Sequence, residues 1–235
     1  MSTKMTNSLP GTRQATLSFV EEMLNQGVLA PTDLRQYITE PQDPFDPESV
    51  CQDLAKWYRD MGIESVIGRQ LSLSPCPFTR DEIVEAYQQQ EIILCVPKGV
   101  SRQELGKLFR IDSWALHDPL VTPATEKQDR WFRTSMSLKP SYMNESGVRI
   151  RRLFEDEKKL HFSIERYMVF IARIRHLTNH TPDQEYWIWL PRGAYDRSGI
   201  LIAGFDRYGS FNVHGWMPQF SASFVGARYG FPPKS

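Results

Sequence analysis

The chain lacks long apolar runs: nowhere in its 235 residues does an unbroken hydrophobic stretch approach the ~20 residues that a membrane span requires. Its first segment, MSTKMTNSLPGTRQ, has no apolar core after Lys4, so export by a standard signal is not expected. Cysteine is scarce. Cys51, Cys76 and Cys95 are odd in number and without CxxC spacing, which supports neither a disulfide framework nor a zinc site. These absences predict a soluble protein of a reducing, cytoplasmic compartment, with no membrane partner. Internal repeats and low-complexity tracts are absent too, and so is a GxSxG nucleophile turn. The stretch Gly99-VSRQEL-Gly106-Lys107 is no phosphate loop, because six residues separate the glycines where that motif has four, and Leu108 replaces the required Ser or Thr. No metal and no cofactor is expected.

Hydrophobic residues make up 40% of the sequence, enough for a sizeable core without covalent staples. An excess of one charge is also missing, since 28 Lys and Arg balance 28 Asp and Glu. The balance hides an asymmetry. Residues 1–100 carry 8 basic against 14 acidic side chains, whereas residues 101–235 carry 20 against 14. The basic excess gathers between Lys127 and Arg175, with 12 basic and 6 acidic residues. Such a stretch can form a patch for an anionic partner, or it can neutralise the acidic part within one fold.

Helix signals dominate the first part. Leu17, Val20 and Leu24 share a face that Gly27 would terminate, and a second short helix can follow Pro31. Pro41, Pro44 and Pro47 then break regular structure and suggest a linker. Asp46-Pro47 reads as N-cap and first helical residue of a helix ending near Gly62. Thr79-Arg-Asp-Glu82 and Ser101-Arg-Gln-Glu104 are two capping boxes, and the β-branched run Glu91–Val96 between them reads as a buried strand. Residues 114–140 show little periodicity and read as a long connection, followed by a short helix near Ser141–Glu145. Val148–Phe154 alternates and predicts a strand with Arg149 and Arg151 on one face, closed by the charged turn EDEKK. Ser163 caps an amphipathic helix whose apolar face is Ile164, Tyr167, Met168, Ile171 and Ile174, leaving Arg166 and Arg173 elsewhere. Strands at 186–190, 200–205, 211–216 and 220–225 complete a C-terminal meander.

The fold expected is therefore α+β: an acidic helical portion over residues 1–70, and a second portion over 71–235 in which the 163–176 helix packs on an antiparallel β-meander. Three functional readings are open. The first is a binding protein for nucleic acid or another anionic polymer, with Arg149, Arg151, Arg152, Lys158 and Lys159 on phosphates and Trp187 and Trp189, on one strand face, as a stacking platform. Against the platform stands burial of a strand that is apolar on both sides. The second is a cofactor-free hydrolase or transferase in which loop ends gather His214 as base, Asp196 or Asp206 to orient it, and Arg197 or Arg228 to hold an anion. Turn formation by Asp206 and Gly209 competes with it. The third is a protein-interaction subunit whose acidic end docks a basic partner. Metal sites are poorly supported: His117-Asp118 is a bare dipeptide before a proline, and His176 and His180 share a helix face only if the helix passes Asn179.

Overall fold

Asp46 opens the first helix by accepting the Ser49 N–H, with Pro47 in the first turn where no N–H is needed. The computed structural model describes residues 43–111, 113, 116–117, 128–195 and 199–234. The chain divides into two units, Met1–Asp43 and Pro44–Ser235, and of the described residues Asp43 alone lies in the first. The helices expected at 16–27 and after Pro31 lie outside the described residues. Helix α1 (Pro47–Asp60) buries Leu54, Trp57 and Tyr58, and the Tyr58 hydroxyl donates to the Cys95 carbonyl at 2.7 Å. The short α2 (Ile63–Ile67) lies between Gly62 and Gly68, whose φ of 86° and 66° are adopted without strain by glycine.

Both capping boxes form. Helix α3 (Arg80–Gln88) starts with Thr79 and Glu82 exchanging hydrogen bonds, and α4 (Arg102–Phe109) with Ser101 and Glu104 doing the same. Strand β1 (Glu91–Val96) runs between them, as expected. Its partner was not foreseen: β2 (Arg130–Ser135) pairs with it antiparallel, Leu94 opposite Phe132, within the stretch read as a long connection. The alternation in RWFRTS is masked because both faces are covered and Arg133 is buried among carboxylates, 3.2 Å from Glu85 and 3.3 Å from Glu91.

The largest departure from the sequence reading is at Val148–Phe154, which is helical. Helix α5 (Gly147–Asp156) is capped by Ser146, which accepts the Arg149 N–H, and it buries Gly147, Ile150 and Phe154. Those positions are three and four apart, so a helical period coexists with the alternation, and packing on the sheet selects the helix. Gly147 lets the helix approach closely, since a Cβ there would sit 3.0 Å from the Trp189 ring. Residues 141–145 form a bridge and turns, not a helix. The two-residue β3 (Leu160–His161) precedes α6 (Ile164–Thr178), capped by Ser163 and ended by Asn179 in the left-handed region.

Strands β4 (Trp187–Tyr195), β5 (Gly199–Phe205) and β6 (Phe211–Trp216) form the expected antiparallel meander. The fourth member differs: β7 (Val225–Ala227) sits later than anticipated and runs parallel to β4, giving the order β6-β5-β4-β7. Strand β8 (Tyr229–Gly230) leaves this sheet and pairs with β3. Ile188, Leu190, Leu201, Ala203, Phe205 and Val213 join the core cluster that includes α6, α1 and β1. Trp189, Ile200, Ile202, Val225 and Ala227 face the other way, onto Ile150 and Phe154 of α5. The fold is α+β, with helices on both faces of the sheet. No helix among the described residues is long and apolar enough to cross a membrane.

One buried ion pair joins these layers. Asp183 accepts Arg228 Nε at 2.6 Å and Nη2 at 2.7 Å, and the Tyr167 hydroxyl at 3.1 Å. Removing one partner of such a pair leaves an uncompensated buried charge. Asp183→Ala is therefore expected to lower unfolding free energy by about 3–5 kcal/mol in urea titrations, and Asp183→Leu combined with Arg228→Met to lower it by less.

Candidate anion-binding cleft

At the N-terminus of α6 the chain builds a cleft of about 180 Å³ lined by Arg130, His161, Ser163, Glu165, Arg166 and Arg192, with apolar walls from Leu190 and Leu201. Each element contributes for a local reason. Ser163 ends the extended segment by accepting the Arg166 N–H, and the Tyr167 N–H closes onto the Ser163 carbonyl. The amides of Ile164 and Glu165 stand outside the helical ladder, as the first N–H groups of any helix do. With the aligned peptide dipoles of a 15-residue helix behind them, they make this end electropositive. Arg192 follows Pro191 where the β4–β5 register shifts between Leu190 and Ala194. A proline, having no N–H, suits such an irregularity, and a bulge re-aims the next side chain. Arg130 begins β2.

Among the described residues, three guanidinium groups and one carboxylate line the cleft. That carboxylate, Glu165, is itself 4.0 Å from Arg102 of α4, and both side chains are buried. Arg166 donates through Nη1 to the His161 carbonyl at 3.1 Å, which holds the β3–α6 connection closed. A fourth guanidinium, that of Arg151 on α5, donates twice to the Pro191 carbonyl, at 3.0 Å and 2.7 Å.

His161 lies at the centre of this charge. It is only 4% exposed, its ring 5.3 Å from that of Phe154, and neither ring nitrogen has a hydrogen-bond partner among the described residues. Buried polar atoms are nearly always satisfied, so two orphaned nitrogens on one imidazole single it out. Burial pushes its pKa down to about 4, and the positive charges of Arg192, Arg151 and Arg166 push in the same direction. The imidazole is therefore neutral near pH 7, one nitrogen able to donate and the other to accept.

The residues singled out in the sequence distribute unevenly around this cleft. Arg151 abuts it through Pro191. Arg149 and Arg152 are exposed on α5, Arg149 bonded to Glu145 at 3.0 Å. Lys158 is exposed with φ 53°, and Lys159 is engaged, 3.9 Å from the Tyr229 ring centroid and 2.5 Å from Glu157. Trp189 is fully buried under α5 and its indole N–H donates to the Glu145 carbonyl at 3.0 Å; only Trp187 remains half-exposed, its ring 5.3 Å from that of His214. His214 is exposed on β6, whereas Asp196 and Arg197 lie outside the described residues. Asp206 binds its own hairpin, accepting the Tyr208 and Ser210 N–H groups and the Asn212 amide, and these contacts hold its carboxyl below the ordinary value. Arg228 is committed to Asp183. Helix α6 ends before His180, and Asp118 lies outside the described residues. No group of three His, Cys, Asp or Glu able to hold a metal occurs among the described residues.

His161, Arg130 and Arg192 were not anticipated. The basic excess between Lys127 and Arg175 covers the first two in sequence, but bringing them together requires the β3–β8 and β1–β2 pairings. Comparison with known proteins adds no relative: no family model, no curated protein and no solved structure matches the chain.

The depressed His161 pKa makes stability depend on pH. The imidazole of an unfolded chain titrates near pH 6.5, while the folded one stays neutral until about pH 4. The unfolded state therefore binds the extra proton, and this contribution is complete above about pH 6.5 and lost as pH falls toward 4. Urea titrations over that window should show His161→Phe losing less stability than the parent, by up to about 3 kcal/mol.

Proposed function

We propose that this chain is a binding protein for an anionic ligand, with nucleic acid as the first polymer to test. The observation that carries the reading is the guanidinium cluster of Arg130, Arg166 and Arg192 about the start of α6, which Arg151 borders. Clustered arginines suit phosphate because the planar fork donates in pairs and stays charged at all relevant pH. The exposed Arg149 and Arg152 on α5 supply a further charged surface for a backbone that continues past the cleft. Base stacking has narrower support, since Trp189 is core and Trp187 alone offers part of an aromatic face.

Fluorescence anisotropy with mixed-sequence single- and double-stranded oligonucleotides tests this. Affinity should fall linearly with salt on a logarithmic plot, and Arg192→Ala and Arg152→Ala should each weaken binding and reduce the slope by about one unit for each phosphate no longer neutralised. Both residues are exposed, so neither change should disturb the core. Absence of binding at low salt would remove nucleic acid as the ligand.

A further inference from the structure

We infer that the α6 cleft is a site for a single terminal phosphate dianion, held by Arg192 and the first-turn amides of α6, with His161 taking up a proton as the dianion enters. This rests on the anionic-ligand reading and narrows it to the end of a polymer, or to a small phosphomonoester. The size of the cleft is the first reason. About 180 Å³ is below the range that accommodates drug-sized molecules, and its floor is closed by the buried His161, Glu165 and Arg166. A group of a few heavy atoms fits such a space, whereas a phosphodiester must leave it at both sides.

The second reason is the imidazole. A histidine so buried, with neither nitrogen partnered among the described residues, is poorly compensated, and an anion in the cleft that it lines would act on it through its field. The charged and titratable groups facing it are Arg151 of α5, Arg166 of α6 and Arg192 of β4; Arg130 and the Arg102-paired Glu165 line the same cleft, and Tyr229 pairs opposite it on β8. The charges of Arg192, Arg151 and Arg166 that act on the ring are all positive, so an incoming dianion offsets them and favours the imidazolium. Proton and anion then bind together, and each strengthens the other.

Sulfate is the first probe, because it remains a dianion throughout the range in which histidine titrates. At constant ionic strength, millimolar sulfate should raise the melting temperature of the full chain more at about pH 6 than at about pH 8, with histidine's ordinary titration between them. His161→Phe should abolish the pH-dependent part, and the exposed Arg192→Gln, which cannot unsettle the core, should weaken the shift at both pH values. Oligonucleotides with and without a 5′-phosphate form the second arm. The phosphorylated form should bind roughly tenfold more tightly, a difference lost in Arg192→Gln. Equal binding of the two forms, with salt dependence intact, would overturn the terminal-phosphate site while leaving polymer binding standing. A sulfate shift without oligonucleotide binding would support the site, with a small phosphomonoester or free phosphate as its ligand, and sink the polymer. A sulfate shift identical in parent, His161→Phe and Arg192→Gln would be general salt stabilisation and would overturn the inference.

Discussion

The pairing of Arg228 with Asp183 is the constraint on which the rest of the architecture turns. Arg228 occupies the single position between β7, which belongs to the four-stranded sheet, and β8, which belongs to the small sheet with β3. Its guanidinium reaches Asp183 in the turn before β4, donates to the Ser137 carbonyl beyond β2 at 2.8 Å, and lies 4.4 Å from the Phe170 ring of α6. Asp183 in turn accepts Tyr167 and donates its N–H to the Leu138 carbonyl, with φ at 55°. Four separate segments therefore meet at one buried pair. Burial raises the Asp183 pKa, and the Arg228 and Tyr167 hydrogen bonds act against that rise.

The cleft inherits its shape from that arrangement. Tyr167 lies one helical turn beyond Ser163, so anchoring it fixes the depth at which α6 begins. Tyr229 follows Arg228 directly and pairs with His161, so anchoring Arg228 also sets where the imidazole sits. A site made from the first turn of one helix, a two-residue strand and an irregularity in a third element has little rigidity of its own. Its precision comes from the pair behind it.

How much of this could be read from the residues depended on range. The caps at Asp46, Thr79, Ser101 and Ser163 are local chemistry, a side chain answering an N–H three residues on, and all four formed where expected. Val148–Phe154 misled because Ile150 and Phe154 satisfy a helical period while neighbouring residues alternate, and only the Trp189 surface decides between them. Strand β2 was hidden because Arg133 looks like a surface residue until Glu85 and Glu91 are placed against it. Arg166 and Arg173 were rightly off the apolar face of α6, yet both are buried, since the helix is enclosed almost all round. His161 gave no signal because nothing near it in sequence shows that its ring will be enclosed.

The opposed charges of the two parts of the chain now divide into two kinds. Glu85 with Arg133 and Lys234, Glu91 with Arg133, and Asp53 with Arg173 are acidic residues of the first hundred neutralised by basic residues of the remainder, within one fold. Much of the asymmetry is thus absorbed by internal pairing and says nothing about partners. The start of α6 still gathers positive charge: three guanidiniums and a helix end line one small space with a single carboxylate, itself shared with Arg102, among the described residues. A neutral imidazole placed there avoids adding a further positive charge, but neither of its nitrogens has a hydrogen-bond partner among the described residues. The electrostatics of the cleft therefore set a cost against folding, an unsatisfied imidazole among positive charges, that an anion of the proposed kind would relieve.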